Sequence, residues 1–309
     1  MESAPFHNDL AEGPEGGRTV WSVAEDGVRL RLGWWPAAQA QGTVLLFPGR
    51  SEYIEKYGRV ARDITAAGLT VACIDWRGQG LSDRVARDPR VGHVVNFLDY
   101  QKDVSVLVDL ATKADLPRPW FLLAHSMGGC IGYRALTQGL DVARAVFSAP
   151  MWGIQMPPPV KPLAHILPPL AKAVGAGETF APGTKPANYI TDTGFQENTL
   201  TTCRSTYEWM GKHAAMVDEF ALGGPSVHWV GEATKETRAL PALPRPALPV
   251  RTYLGTEEAI VSAEAIRRLH VDWPSADLVV VDGAKHEIMM EAPAHRDRFI
   301  DETISFFTP

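Results

Sequence analysis

The chain has 309 residues, of which 45% are hydrophobic and 21% are charged, and its net charge at pH 7 is -6. This composition is typical of one large globular domain with a sizeable core, or of such a domain with an insertion. Charges of both signs are dispersed and no basic run occurs, so a nucleic-acid partner is not expected. The N-terminus lacks the features of a signal peptide, and no apolar run approaches the length of a bilayer span.

The three cysteines, Cys73, Cys130 and Cys203, are odd in number and widely spaced. This pattern indicates neither a disulfide framework nor a zinc site, and we expect buried free thiols in a reducing cytoplasm. A dinucleotide fingerprint fails in "RGQGLSD", where Asp83 stands in place of the third glycine. We therefore expect a cytoplasmic protein with no metal and no cofactor.

In chain order, residues 1–18 are predicted to form a mobile tail. Alternating apolar and polar residues around Asp26-Gly27 then predict a β-hairpin. Short apolar runs and helical periodicity alternate from there to residue 150. The strands are predicted at 43–47, 69–76, 119–124 and 143–150, and the helices at 56–67, 96–114 and 127–138.

The alternation stops at residues 151–246, which hold proline-rich pieces and two helix-like segments around 197–218 and 226–239. It resumes with strands at 250–255 and 277–281 and helices near 262–271 and 291–307. Strand–helix alternation on both sides predicts an α/β fold with a mostly parallel sheet flanked by helices. We therefore predict a core formed by residues 19–150 and 247–309, with a helical cap inserted at 151–246.

One serine lies where a predicted buried strand turns into a helix, in "WFLLAHSMGG". The order Ala124-His125-Ser126-Met127-Gly128 is close to the G-x-S-x-G nucleophile elbow, with alanine in the first glycine position. Small neighbours permit a strained turn that exposes the serine hydroxyl. The helix that follows offers its unpaired N-terminal amides, including that of Met127, to a developing negative charge.

A serine nucleophile needs a base, and in this motif the acid and then the histidine follow the serine along the chain. Among nine histidines, His286 is the candidate base because its loop directly follows the strand 277–281. The loop "GTEEAIV" after strand 250–254 offers Glu257 and Glu258 as the acid, and the residue pattern alone leaves both open. Asp282 is a weaker candidate because it is close in sequence to His286.

The turn "FPGRSEYIEKY" after strand 43–47 is expected to complete an oxyanion hole. Gly49 lets the backbone approach a substrate, and the Arg50 N–H is the candidate second donor beside Met127. Each such donor is worth about 10²–10³ in rate. The Arg50 side chain would start beside the scissile ester, where it either pairs with a phosphate or forms a local ion pair with Glu52.

At these residues the sequence resembles the α/β-hydrolase lysophospholipase and monoacylglycerol lipase family, from about residue 20 onward. The supporting stretches are "FPGRSEYIEKY", "IDWRGQGLSDR", "AHSMGG", "NTLTTCRSTYEW", "GTEEAIV" and "GAKHEIMMEAP". "IDWRGQGLSD" is the most specific of them.

The resemblance implies that Ser126 is the nucleophile, His286 the base and Glu258, not Glu257, the acid. The family usually has aspartate at the acid position, and Pro48 replaces the histidine that usually begins its oxyanion turn. The implied activity is the hydrolysis of single-chain acyl esters through an acyl-enzyme, with the acyl tail under the cap.

The predicted cap is rich in large apolar side chains that are candidates for an acyl pocket, with ordinary cap core as the alternative for at least half of them. They are Met151, Trp152, Ile154, Met156, Phe180, Trp209, Met210 and Trp229. The candidate substrate-binding residues are Glu52, Trp152, Trp209 and Trp229.

The expected partner is a small-molecule acyl ester or monoacyl lipid, and a transient contact of the cap with a membrane surface stays open. Two other functions also stay open: an aminopeptidase for small N-terminal residues, and a ligand receptor that keeps the fold without catalysis. No acidic pocket for an amine is visible in the sequence, and no triad residue is lost.

Overall fold

The computed structural model describes residues 1–157 and 161–308. Within them, nine strands form one sheet in the order β1-β2-β3-β5-β4-β6-β7-β8-β9. The strands are β1 (Glu2–Ser3), β2 (Arg18–Val23), β3 (Arg29–Trp35), β4 (Thr43–Phe47), β5 (Thr70–Asp75), β6 (Trp120–His125), β7 (Arg144–Ser148), β8 (Val250–Gly255) and β9 (Ala276–Val281).

Ten α-helices accompany this sheet in the described part of the chain. They are α1 (Asn8–Ala11), α2 (Gly58–Ala66), α3 (Tyr100–Lys113), α4 (Met127–Thr137), α5 (Leu163–Ala173), α6 (Tyr189–Asp192), α7 (Arg204–Met216), α8 (Val227–Ala239), α9 (Ala263–His270) and α10 (Pro293–Phe307). Among these helices, none is both long enough and apolar enough to cross a bilayer.

The sheet is mostly parallel, which confirms the predicted α/β fold class. The strands β5, β4, β6, β7, β8 and β9 run parallel to one another, whereas β1, β2 and β3 form an antiparallel edge that joins β5. Every residue of the apolar strand β4 is buried, because helices cover both faces of the central sheet. The carboxyl ends of the parallel strands therefore meet at one edge, where the loops that follow β4, β6, β8 and β9 lie together.

The N-terminal segment is packed against the core, and the prediction of a mobile tail for residues 1–18 is wrong in this respect. Strand β1 pairs with β2, and Ala11 is fully buried. The carbonyl oxygen of Leu10 accepts hydrogen bonds from Trp209 Nε1 at 3.2 Å and from His213 Nε2 at 2.8 Å. Backbone pairing of this kind leaves no apolar periodicity in the sequence, so the pattern could not reveal it.

Between β7 and β8 the described residues contain helices α5 to α8 and no strand that joins the sheet. Helices α7 and α8 lie within the two segments that the sequence indicated. Helix α5 was missed because it contains Pro168 and Pro169, which ordinarily disfavour a helix interior. Residues 158–160 of the predicted cap lie outside the described residues, and the division into core and cap stays a prediction.

All three cysteines are free thiols. Cys73 on β5 and Cys130 on α4 are buried, as predicted. Cys203, just before α7, is only half-buried, and its sulfur lies 3.2 Å from the hydroxyl of Thr206. The expectation of burial is therefore wrong for Cys203.

Candidate active site

Ser126 occupies a strained turn between β6 and α4. Its backbone has φ 49° and ψ -116°, a conformation that costs a non-glycine residue about 1–3 kcal/mol. Four backbone hydrogen bonds hold it. The Ser126 N–H donates to the Ser148 carbonyl at 3.1 Å, and the Ser126 carbonyl accepts the N–H groups of Met151 at 2.8 Å, Gly129 at 2.9 Å and Cys130 at 3.3 Å. The serine therefore has the backbone geometry that the elbow pattern predicted.

The glycine two residues after the serine is required by packing. A Cβ on Gly128 would lie 2.2 Å from the carbonyl oxygen of Phe47 and 2.5 Å from that of Pro48. Such contacts are impossible, so only glycine lets α4 approach the turn that follows β4. The small residue thus brings the elbow and that turn together, in addition to permitting the sharp bend.

Ser126, His286 and Glu258 form a continuous hydrogen-bonded chain. His286 Nε2 lies 2.9 Å from Ser126 Oγ, and His286 Nδ1 lies 2.7 Å from Glu258 Oε2. The Glu258 side chain is only 1% exposed. Its other carboxylate oxygen accepts the backbone N–H groups of Ile260 at 2.7 Å and Val261 at 3.0 Å.

Burial acts to raise the pKa of Glu258, but His286 and the two backbone amides outweigh it, so the pKa is lowered. The carboxylate is therefore ionised at neutral pH. An ionised acceptor favours the imidazole tautomer that carries its proton on Nδ1. Nε2 of His286 is then free to accept the proton of the Ser126 hydroxyl.

The neighbouring acidic residues do not reach the histidine. Glu257 is exposed, and its backbone N–H donates to the Ala284 carbonyl at 3.0 Å. Asp282 accepts a hydrogen bond from Thr256 Oγ1 at 3.3 Å. Of the carboxylates that sequence reasoning considered for this loop region, the structure brings only that of Glu258 to His286.

The loop that carries His286 is held by a segment of the predicted cap. The Glu287 N–H donates to the Leu200 carbonyl at 2.8 Å. The buried carboxylate of Glu291 accepts the backbone N–H groups of Lys285 and of Thr202, each at 2.8 Å. The sequence pattern indicates no role for these residues, although "NTLTT" is part of one stretch that carries the resemblance.

Gln79, from the "RGQG" motif, fixes the turn after β4. Its side-chain amide donates to the carbonyl oxygens of Gly49 and Glu52, both at 2.8 Å, and its Oε1 accepts the N–H of Ser51 at 3.2 Å. Gly80 next to it has φ 55°, and a Cβ there would lie 2.2 Å from the carboxylate of Asp75. The motif therefore supports the turn, a role that sequence reasoning did not assign.

The two candidate oxyanion donors lie at the same end of the sheet. Strands β4 and β6 pair with Phe47 opposite Ala124, so the Arg50 turn and the Ser126 elbow follow adjacent strand ends. Within the described residues, neither the Arg50 N–H nor the Met127 N–H donates to a protein acceptor. Met127 is also the first residue of α4, where the helix dipole favours negative charge.

Glu52 was a candidate substrate-binding residue, but the structure places it inside the turn. Its buried carboxylate accepts hydrogen bonds from the Gly49 N–H and the Tyr57 hydroxyl. Lys56 Nζ lies 2.7 Å from Glu52 and also 2.7 Å from Glu287. Glu52 therefore holds the turn together and forms no ion pair with Arg50, which corrects both expectations for this residue.

Glu52, His125 and Glu287 bring their potential ligand atoms within 4.8 Å of one another. The ammonium group of Lys56 already pairs with both carboxylates. Burial lowers the pKa of His125 to about 4, which keeps this imidazole neutral. A divalent cation would have to displace or face that ammonium, so this cluster does not fit a metal site.

The three candidate tryptophans have different surroundings. Trp152 is packed against Phe147 and other aromatic residues of the core, and its indole N–H donates to the Gly129 carbonyl at 3.1 Å. Trp209 is directed at the N-terminal segment, where it donates to the Leu10 carbonyl. Trp152 and Trp209 therefore have structural contacts. Trp229 is also buried and donates its indole N–H to the Tyr100 hydroxyl at 3.3 Å, but its ring lies beside Arg50, with 5.6 Å between the guanidinium carbon and the ring centre.

An apolar cavity of about 350 Å³ lies beneath α5. Triad residues do not line it. Ile154, which directly precedes the lining residue Gln155, forms an isolated β-bridge with Val261 in the loop of Glu258. Of the eight predicted pocket residues, Met156 lines it and the other seven do not. The other lining residues include Leu163, Leu167, Ala181, Val227 and Val230.

Comparison with known proteins identifies the family. Residues 38–293 match the family described as serine aminopeptidase S33 (Hydrolase_4). The chain belongs to the serine aminopeptidase S33 family. It is 30% identical over 304 residues to lysophospholipase L2 of Escherichia coli K12, a match that covers 91% of this chain and 85% of that relative.

A second relative is a probable lysophospholipase L2 of Haemophilus influenzae. It is 29% identical to this chain, and the match covers 83% of this chain and 80% of that relative. Among solved structures, the monoglyceride lipase of Saccharomyces cerevisiae superposes with a TM-score of 0.71 at 20% identity, covering 93% of this chain and 96% of that one. The latter likeness shows the fold. This protein is thus an α/β-hydrolase and a carboxylic ester hydrolase, as the resemblance implies.

Proposed function

We propose that this protein is a serine hydrolase that cleaves the carboxylic ester of a monoacyl lipid, either a lysophospholipid or a monoacylglycerol. The observation that carries the proposal is the hydrogen-bonded chain from Glu258 through His286 to Ser126. The names of the two lysophospholipase relatives support the substrate class.

In the proposed reaction, Ser126 Oγ attacks the ester carbonyl while His286 Nε2 takes the hydroxyl proton. The Arg50 and Met127 amides stabilise the resulting oxyanion, and Glu258 stabilises the imidazolium. The C–O bond to the alcohol then breaks as His286 returns the proton to the leaving oxygen. A water molecule, deprotonated by His286, then attacks the acyl-enzyme. The bond between the acyl carbon and Ser126 Oγ breaks, His286 returns the proton to Oγ, and the fatty acid is released.

We place the acyl tail in the apolar cavity beneath α5. Its lining by Met156, Leu167 and Val230 suits a hydrocarbon chain. Helix α5 also exposes apolar side chains, including Ile166 at 54% and Leu170 at 58%. We propose that this face contacts the lipid surface from which a substrate is taken.

An aminopeptidase activity is the alternative that the family description raises. Such an enzyme needs a carboxylate that pairs with the substrate's terminal ammonium group. Two buried carboxylates near the triad, Glu52 and Glu287, are already paired with Lys56. The site is therefore better suited to an ester without a charged amino group.

A substrate screen tests the proposal directly. The wild type should hydrolyse 1-octanoylglycerol or 1-octanoyl-lysophosphatidylcholine, and the rate should rise with tail length up to the capacity of the cavity. Alanine and proline p-nitroanilides should remain uncleaved. Cleavage of these anilides without cleavage of either lipid would contradict the proposal and favour the aminopeptidase. If the protein cleaves none of these substrates, the non-catalytic ligand receptor would be favoured instead.

A further inference from the structure

The side chain of Arg50 lies between the core and the predicted cap. Its Nη1 donates to the Gly223 carbonyl at 3.1 Å, and its guanidinium faces the ring of Trp229. A Cβ on Gly92 would lie 2.6 Å from Nη1, so the absence of a side chain there makes room for the guanidinium. Arg50 is thus enclosed by two glycines and an aromatic ring.

No carboxylate in the described part of the chain lies within ion-pair distance of Arg50. Glu52, the predicted ion-pair partner of Arg50, is paired with Lys56 instead. Burial lowers the pKa of Arg50 to about 10, which still leaves the group charged at neutral pH. A half-buried cation without a counter-charge is costly, and its cost falls when an anion binds.

The remaining donors of Arg50 define which anion fits. A guanidinium has five N–H groups in a planar fork, and only Nη1 has a protein acceptor among the described residues. This fork matches two oxygens of a phosphate group. The backbone of the same residue carries the candidate oxyanion donor, so a phosphate bound by the guanidinium would lie within one arginine side-chain length of that donor.

We propose that the Arg50 guanidinium binds the phosphate of a lysophospholipid whose ester Ser126 cleaves, and so favours lysophospholipid over monoacylglycerol. This inference rests on the proposed function and narrows its substrate class. A competing explanation is that Arg50 only joins the cap to the core through Gly223. That role would affect every substrate alike, whereas phosphate binding affects only one class.

The test compares kcat/KM for 1-octanoyl-lysophosphatidylcholine and 1-octanoylglycerol, which share an acyl chain, both below their micellar concentrations. In Arg50→Ala, kcat/KM for the lysophospholipid divided by kcat/KM for the monoacylglycerol should fall about tenfold or more. Any disturbance of the oxyanion turn cancels in this ratio. Arg50→Lys should recover part of the ratio, because it restores the charge without the planar fork.

Arg118→Ala is the matched control. Arg118 precedes β6 at the opposite end of the sheet and pairs with Asp141 on the surface, so its loss changes the net charge equally and should leave the ratio unchanged. Thermal melting followed by circular dichroism verifies that each variant folds.

An unchanged ratio in Arg50→Ala, or a wild type that cleaves only the monoacylglycerol, would overturn the inference while the proposed ester hydrolysis stands. A wild type that cleaves neither lipid would overturn the proposed function as well. The two failures are therefore distinguishable in one set of assays.

Discussion

The parts of the candidate site that lie in the predicted core and in the predicted cap are held in different ways. On the core side, Glu258 and the turn after β4 are fixed by buried hydrogen bonds and by the charges of Glu52 and Lys56. On the cap side, α5 packs against α8 mainly through apolar contacts such as Pro168 on Gly231. Most of the outward face of α5 remains exposed.

This difference shows which groups of the site must be positioned precisely. The reacting atoms tolerate little displacement, so the groups around them are held by directional bonds. An acyl tail needs only an apolar space of suitable size. We therefore expect substitutions of polar groups in the core to have large effects and substitutions on the cap surface to have small ones.

The largest effect is expected at Glu258. Glu258→Gln keeps the side-chain volume but removes the charge that supports the His286 imidazolium, so kcat should fall by up to ~10⁴. Glu257→Gln, one residue away and exposed, is the matched control and should stay near the wild type. Steady-state kinetics on an octanoyl ester measures both, and a larger loss in Glu257→Gln would assign the acid to the other glutamate.

Removing the buried ammonium tests the charges beneath the turn. Lys56→Met leaves the Glu52 and Glu287 carboxylates unpaired, so the free energy of unfolding should fall by about 3–5 kcal/mol. Lys113→Met is the control, because its pair with Asp109 is exposed and such pairs are worth about 0–1 kcal/mol. Chemical denaturation measures the difference between these variants.

The loss in Lys56→Met should also depend on pH. Without Lys56, the pKa values of the Glu52 and Glu287 carboxyls in the folded state rise above those in the unfolded state. The free energy of unfolding of the variant therefore declines as the pH rises from the unfolded-state pKa values through the folded-state ones. The destabilisation should therefore be larger at pH 8 than at pH 5. Equal losses at both pH values would contradict the assignment of charge repulsion.

Gln79 should affect catalysis without touching the substrate. Gln79→Ala removes three hydrogen bonds to the turn that carries Arg50. We expect kcat to fall by a factor of about 10 to 10². The complete loss of one oxyanion donor, which costs ~10²–10³ in rate, sets the upper limit. KM should change little. Gln138→Ala, at the exposed far end of α4, is the control and should leave kcat unchanged. A similar fall of kcat in Gln138→Ala would contradict a specific role of Gln79.

The smallest effect is expected on the cap. Ile166→Glu places a charge on the exposed apolar face of α5, so activity on lipid vesicles should fall several-fold through weaker surface binding. Activity on a dissolved short-chain ester should stay unchanged. A loss on both substrates would mean that Ile166 supports the fold of the cap, and no loss on vesicles would remove the proposed lipid contact.

Much of the core could be predicted from the sequence because its strands are short apolar runs with sharp boundaries. The predicted strand at 43–47 coincides with β4, and the hairpin around Asp26-Gly27 joins β2 and β3. Helix α5 could not be predicted, because its two prolines oppose a helix that tertiary packing nevertheless stabilises.

For the site, the order of motifs along the chain led to Ser126, His286 and Glu258, which the structure brings together. It could not identify the roles of Gln79 and Glu52, because these depend on contacts between distant loops. Large apolar residues such as Trp152 look alike in sequence whether they line a pocket or fill a core. The sequence therefore indicates chemistry near sharp turns better than the walls of a binding cavity.

The central claim is that Ser126 is a nucleophile activated by His286. The most direct measurement is intact-protein mass spectrometry after treatment with a fluorophosphonate ester, with EDTA present because no metal is required by the proposed reaction. The wild type should gain the mass of one phosphonyl group, and Ser126→Ala should gain none. One phosphonyl adduct on Ser126→Ala under the same conditions would contradict the claim.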